Sequence, residues 1–89
     1  MKIVYSSQFK KDYKKVQKQN KDIGKLSAVI DKLIAKERLD AKYRDHSLTG
    51  SWKGFRDCHL ESDWILIYQT SEDTLTLART GSHSELFKK

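Results

Sequence analysis

Trp64-Ile65-Leu66-Ile67-Tyr68 is a run of five apolar residues with no polar face. It is far short of the ~20 residues a transmembrane helix needs. Bounded by turn residues, a run of this length reads as a central strand buried on both sides. Such a strand needs partners in a sheet, and the flanking sequence supplies them. Trp52 to Glu61 alternates well enough for a strand, and Ser71-Glu72-Asp73 is a turn. Thr74 to Thr80 alternates Thr and Ala with Leu75, Leu77 and Arg79. Consecutive strands joined by short turns pair antiparallel.

The N-terminal half has a different period. Lys2-Ile3-Val4-Tyr5 has the β-branched and aromatic character of a short strand. Ser6 or Ser7 can then cap a helix whose apolar stripe is Phe9, Tyr13 and Val16, with Lys10, Lys11, Lys14, Lys15 and Lys18 on its remaining surface. Asn20 breaks the pattern. Asp22 caps a second helix, with Ile23, Leu26, Ile30, Leu33 and Ile34 on its core face. Glu37 to Gly50 has no clear period and reads as a loop, and residues 82–87 read as one helical turn. The order β-α-α-β-β-β predicts an α+β fold, with two antiparallel helices packed on a small, mainly antiparallel sheet. Residues 1–89 are read as one domain, without repeats or linkers.

Composition narrows the setting. The formal net charge is +6, and residues 1–38 carry eleven Lys/Arg against four acids while the remainder is close to neutral. A one-sided basic surface suggests a polyanionic partner, although lysine-rich helices are also simply well solvated. Cys58, the only cysteine, cannot form an internal disulfide, and on its strand it alternates with His59 toward the core. The first residues lack the apolar stretch of a signal peptide. The expected location is therefore the cytoplasm, away from membranes.

The side chains able to do chemistry gather in the second half. All three histidines, His46, His59 and His83, lie on strands or near their ends, beside Asp45, Asp57, Asp63 and Arg79. Asp57 and His59, two apart on a strand, share one side. Histidine gives and takes protons near neutral pH. Cleavage of RNA through its 2′-hydroxyl requires a base, an acid to protonate the leaving 5′-oxygen, and a cation on the phosphate. RNA brings its own nucleophile, so no Ser or Cys is needed, and Arg79 suits a phosphate bidentately. Each residue also has a plainer reading. A histidine can be a packing residue, Asp45 can close a turn, Arg79 can be a surface ion pair, and Trp52 and Trp64 can be core. Phe87 either staples the last turn or stacks on a base. No Cys-x-x-Cys, His-x-x-x-His or His-Glu-x-x-His pattern supports a metal site, and no glycine-rich nucleotide motif is present, so no cofactor is expected.

The spacing Asp45-His46-x-Leu48-x-Gly50-x-Trp52-x-Gly54-x-Arg56-Asp57-x-His59-x-x-x-Asp63-Trp64-x-Leu66-Ile67-Tyr68 resembles the signature of YafQ-type toxins in the RelE/ParE superfamily. The ending Arg79-x-Gly81-x-His83-x-x-Leu86-Phe87 is similar to that family's C-terminus. The resemblance implies a RelE-like toxin domain from a type II toxin–antitoxin module, acting as a ribosome-dependent endoribonuclease that cuts mRNA in the A site. It implies a cognate antitoxin that binds DNA and wraps the toxin, with the 70S ribosome and mRNA as further partners. His83 would be the general acid, and His46, His59 and Asp63 further acid, base or orienting residues. Arg79 would hold the phosphate and Phe87 would pack on the RNA, with Asp57 and Trp64 as secondary contacts. Lys10, Lys11, Lys14, Lys15 and Lys18 would grip ribosomal RNA without choosing sequence, and Lys88 and Lys89 could touch RNA. The superfamily also contains non-catalytic toxins of the ParE kind that poison DNA gyrase, and a module that only binds is a further alternative.

Overall fold

The computed structural model describes residues 1–87; Lys88 and Lys89, and whatever contact they make with RNA, lie outside the described residues. Strand β1 (Lys2–Tyr5) leads into helix α1 (Ser7–Lys18) and helix α2 (Ile23–Ile34). Then come β2 (His46–Ser47), β3 (Arg56–Glu61), β4 (Trp64–Thr70), β5 (Thr74–Gly81) and a single-turn helix α3 (His83–Leu86). The α+β expectation holds. The five strands run in the order β1-β5-β4-β3-β2, and every pairing is antiparallel except β1 with β5. No helix among the described residues is long and apolar enough to cross a membrane.

Two local expectations are corrected. The stretch from Glu37 to Gly50 is not all loop, because Ala41–Tyr43 forms a 3₁₀ turn and His46–Ser47 a two-residue edge strand, with His46 opposite Asp57. The strand expected from Trp52 begins only at Arg56, since Gly50–Trp52 is a second 3₁₀ turn. Gly54, with φ of 92°, makes a bend that side chains rarely allow. Two-residue strands carry too little alternation to be seen as a pattern, and here pairing with β3 alone defines one.

The helices begin as their caps dictate. Ser6 accepts a hydrogen bond from the Phe9 amide at 2.9 Å and donates to the Ala78 carbonyl at 2.7 Å, so the cap also ties α1 to β5. Asp22 caps α2 through the Gly24 amide. Phe9 and Val16 of α1 and Leu26, Val29 and Leu33 of α2 are buried against Cys58, Leu60, Trp64, Leu66, Tyr68, Leu75 and Leu77 of the sheet. Tyr13 and Ile30 pack only in part.

β4 is buried on both faces, with Trp64 through Tyr68 at most 2% exposed. Trp64, Leu66 and Tyr68 belong to the helix-side core, whereas Ile65 and Ile67 belong to a second cluster on the other face. That second face has no long helix over it. Leu48, Trp52 and Phe55 from the segment between β2 and β3, with Leu86 and Phe87 from the C-terminus, cover it instead. A sheet face covered by loop and terminus leaves openings, and the histidines lie there.

Candidate active site

Cross-strand register assembles the cluster. Asp57 and His59 share one side of β3, and Asp57 stands opposite His46 of β2. Ile65 and Ile67 lie opposite His59 and Asp57 on β4. They in turn lie opposite Gly81 and Arg79 on β5, one residue before the α3 cap. Asp57 is only 2% exposed, and burial raises its pKa above the ordinary carboxylate value, an effect that His46, His59 and His83 all oppose. His46 Nδ1 lies 3.1 Å from this buried carboxylate, and His59 stands on its side of β3.

Hydrogen bonds define the histidine at the sheet edge. His46 Nδ1 lies 2.9 Å from the Arg44 carbonyl, which can only accept, so Nδ1 carries the proton. Asp57 Oδ1 is 3.1 Å from the same nitrogen but off the line of its N–H. It makes an electrostatic contact and receives no hydrogen bond. In the neutral ring Nε2 is then the free lone pair, on a side chain that is 58% exposed. The buried Nδ1 of His59 has no hydrogen-bond partner among the described residues.

His83 is the first residue of α3. Its amide donates to Asp63 Oδ1 at 2.9 Å, and its ring sits 5.0 Å from that of Phe87. The helix is fixed by a reciprocal cap. The Ser82 amide donates to Glu85 Oε1 at 2.8 Å while the Glu85 amide donates to the Ser82 hydroxyl. Lys15 of α1 pairs with the other carboxylate oxygen, and the Glu85 pKa is drawn down to about 2, first by Lys15 and then by Ser82. Lys15 thus ties α1 to α3 while remaining exposed, as Lys10, Lys11, Lys14 and Lys18 are.

Arg79 is engaged in a way the sequence did not announce. Its Nε and Nη2 donate to Asp12 at 2.7 and 3.2 Å, and the Thr80 amide donates to the same carboxylate at 3.2 Å. Asp12 is 6% exposed. The signal was present in the spacing, since Phe9, Asp12 and Val16 lie at i, i+3 and i+7 on one stripe. Arg79 still lines a cleft of about 760 Å³ with Trp52, Glu85 and Phe87. Asp45, read as a turn residue, accepts from Arg56 at 3.3 and 3.4 Å and from the Tyr68 hydroxyl at 2.5 Å, pinning the residue just before His46.

Two remaining side chains are packing residues. Trp64 is fully buried, and its indole N–H donates to Thr80 Oγ1 at 2.9 Å, so it has no face to offer a base. Cys58 is buried, and burial pushes its thiol pKa up to about 12, which keeps it unreactive. Among the described residues no three His, Cys, Asp or Glu side chains are grouped to hold a metal ion.

Fold and cluster together define a class: a small α+β protein with histidines and a buried carboxylate gathered on the loop-covered face of its sheet. This chain belongs to the YafQ family, bacterial toxins of type II toxin–antitoxin systems, whose family model matches residues 1–88. It is 50% identical to the mRNA interferase toxin YafQ of Escherichia coli K12 over 86 residues, covering 96% of this chain and 94% of that protein. The toxin in the E. coli DinJ–YafQ complex superimposes with a TM-score of 0.89 at 50% identity, covering 96% of each chain. A metal-bound toxin from Helicobacter pylori matches with a TM-score of 0.91 at 45% identity, over 98% of this chain and 99% of that one.

Proposed function

We propose that this chain cuts mRNA in the ribosomal A site by attack of the RNA 2′-hydroxyl on the adjacent phosphate, with histidines moving the protons. It is the toxin of a type II module and an endoribonuclease of the mRNA interferase kind. A cognate antitoxin is its partner, as in the DinJ–YafQ complex of its relative. We take that antitoxin to bind DNA and to wrap the toxin.

One observation carries the reading: His46, 3.1 Å from the buried Asp57 carboxylate, and His59, on the same side of β3, lie on the sheet face against which α3, headed by His83, packs through Leu86. His46, with Nδ1–H directed at the Arg44 carbonyl, presents Nε2 as the base that takes the 2′-OH proton. The 2′-oxygen then bonds to phosphorus, and the bond from phosphorus to the 5′-oxygen breaks. His83, as imidazolium, donates its proton to that departing oxygen, and Asp63 and Phe87 fix its position. His59 stays within reach of the phosphate, and Arg79 turns its Nη1 edge to the charge that grows there, held by Asp12. The scheme routes no step through a metal ion.

The test is induction of the chain in growing cells, with message ends mapped by primer extension, for wild type and His83→Ala. Growth arrest with codon-phased cuts, both lost in the variant, is the expected result. Arrest without cuts and indifferent to His83→Ala would overturn the nuclease and favour gyrase poisoning.

A further inference from the structure

Two clefts carry basic side chains of the C-terminal half, one lined by His59 and the other by Arg79 and Phe87, and they share no lining residue. His46 stands between them along the chain. Residues 48–52, after it, line the cleft of Arg79 and Phe87, while residues 42–44, before it, line a cleft of about 440 Å³ with Lys25 and His59. A strand of RNA held at the histidines extends both ways from the bond being cut, and the cleft that His59 lines is open to one of its flanks. The proposed function concerns the scissile phosphate and leaves the second cleft without a task.

The free positive charge is on that second side. Arg79 has two donors committed to Asp12. Lys25 pairs with Glu61 at 3.0 Å. Lys42 and Arg44 form no ion pair among the described residues. Lys42 Nζ lies 5.2 Å from the centre of the Tyr43 ring, at the wall of the cleft. Arg44 has a left-handed backbone with φ of 48°, a conformation uncommon for a residue with a side chain. The same residue's carbonyl receives His46 Nδ1–H, so its backbone orients the base while its side chain lines the cleft. Strain of this kind persists where surrounding contacts hold it.

We propose that the cleft of Lys42 and Arg44, beside His59, is an RNA-backbone subsite that holds phosphates of the mRNA on one flank of the cut. The assignment rests on mRNA being the substrate. Phosphates recognised here carry register and affinity but no sequence information.

The experiment titrates purified full-length chain on ribosomes programmed with mRNA, for wild type, Arg44→Gln, Lys42→Gln and the double variant, between about 50 and 200 mM salt. The double variant should raise KM about tenfold while kcat stays within about twofold. The slope of log KM against log salt should fall by about 0.7 for each phosphate that the variant no longer holds. Arg44→Lys, which keeps the charge, should restore most of the slope. Messages trimmed on one side of the cut add a second arm: removing the flank that fills the cleft should abolish the difference between wild type and double variant. Unchanged KM and slope would overturn the proposal. A defect that persists equally on both trimmed messages would also overturn it, by assigning the phosphates to ribosomal RNA. Wild-type chain that cuts no ribosome-bound message would sink the mRNA reading itself. Both side chains are exposed, so unfolding midpoints of the variants should match wild type.

Discussion

Asp57 is the residue whose stability and chemistry pull in opposite directions. Its carboxylate is buried and its Oδ1 receives no hydrogen bond, so the charged form is disfavoured and the pKa is raised. The raised value means that the folded state holds the proton more tightly than the unfolded chain. The stabilisation is complete below the ordinary Asp range and is lost as pH rises through the folded pKa. Asp57→Asn should therefore raise the thermal midpoint at pH 7 by several degrees, for a gain of about 1–2 kcal/mol. The gain should shrink toward pH 4, and message cleavage should fall at the same time. A thermal melt series across pH, beside a cleavage assay, checks both. Asp12 makes the contrasting case. Asp12→Ala strands the Arg79 guanidinium, which is only partly exposed, and should cost about 2–3 kcal/mol, measured by urea unfolding.

At the scale of elements, α3 is a single turn that could not persist alone. It is held by Ser82, Glu85 and Lys15, and it carries both His83 and the approach to Phe87. Because the Glu85 pKa is lowered to about 2, its contribution is present above the ordinary Glu value of about 4.3 and is lost as pH falls toward 2. Glu85→Ala removes half of the capping box, worth about 1 kcal/mol. Amide exchange at Leu86 and Phe87, whose N–H groups bond Ser82 and His83 carbonyls, should quicken about fivefold, while β4 amides keep their protection. Exchange that quickens across the whole sheet would show that α3 does not open by itself. The strand-period and helix-period segments were legible because Trp64–Tyr68 and the Phe9 and Leu26 stripes are long enough to show a pattern. β2 was not legible, because two residues have no period.

Over the whole molecule, charge is segregated: the basic excess belongs to the N-terminal half, and the histidine cluster to the C-terminal half. On the proposed ribosomal reading, Lys10, Lys11, Lys14 and Lys18 supply screened, sequence-blind affinity. Charge reversal at Lys11 and Lys18 should weaken ribosome binding by at least tenfold at low salt and flatten its salt dependence. Lys15→Ala should behave differently, disturbing turnover through Glu85 more than binding. Sedimentation with ribosomes at two salt concentrations distinguishes the two. Equal behaviour of all five lysines would refute the division.

The sequence by itself determined the α+β order, a helix start at Ser6 or Ser7, the cap at Asp22, the doubly buried strand and the family. These depend on local periodicity, capping chemistry and motif spacing, which neighbouring residues carry. It also placed every histidine in the right half of the chain. Tertiary structure alone decided which groups meet: His46 with Asp57 across β2 and β3, Arg79 with Asp12 from 67 residues away, and Lys15 with Glu85 from 70 away. It placed Trp64 in the core and paired the exposed Lys15 with Glu85. The physical reason is that a side chain's partner across a sheet or between layers is set by register and packing, and neither leaves a mark on the residues in between.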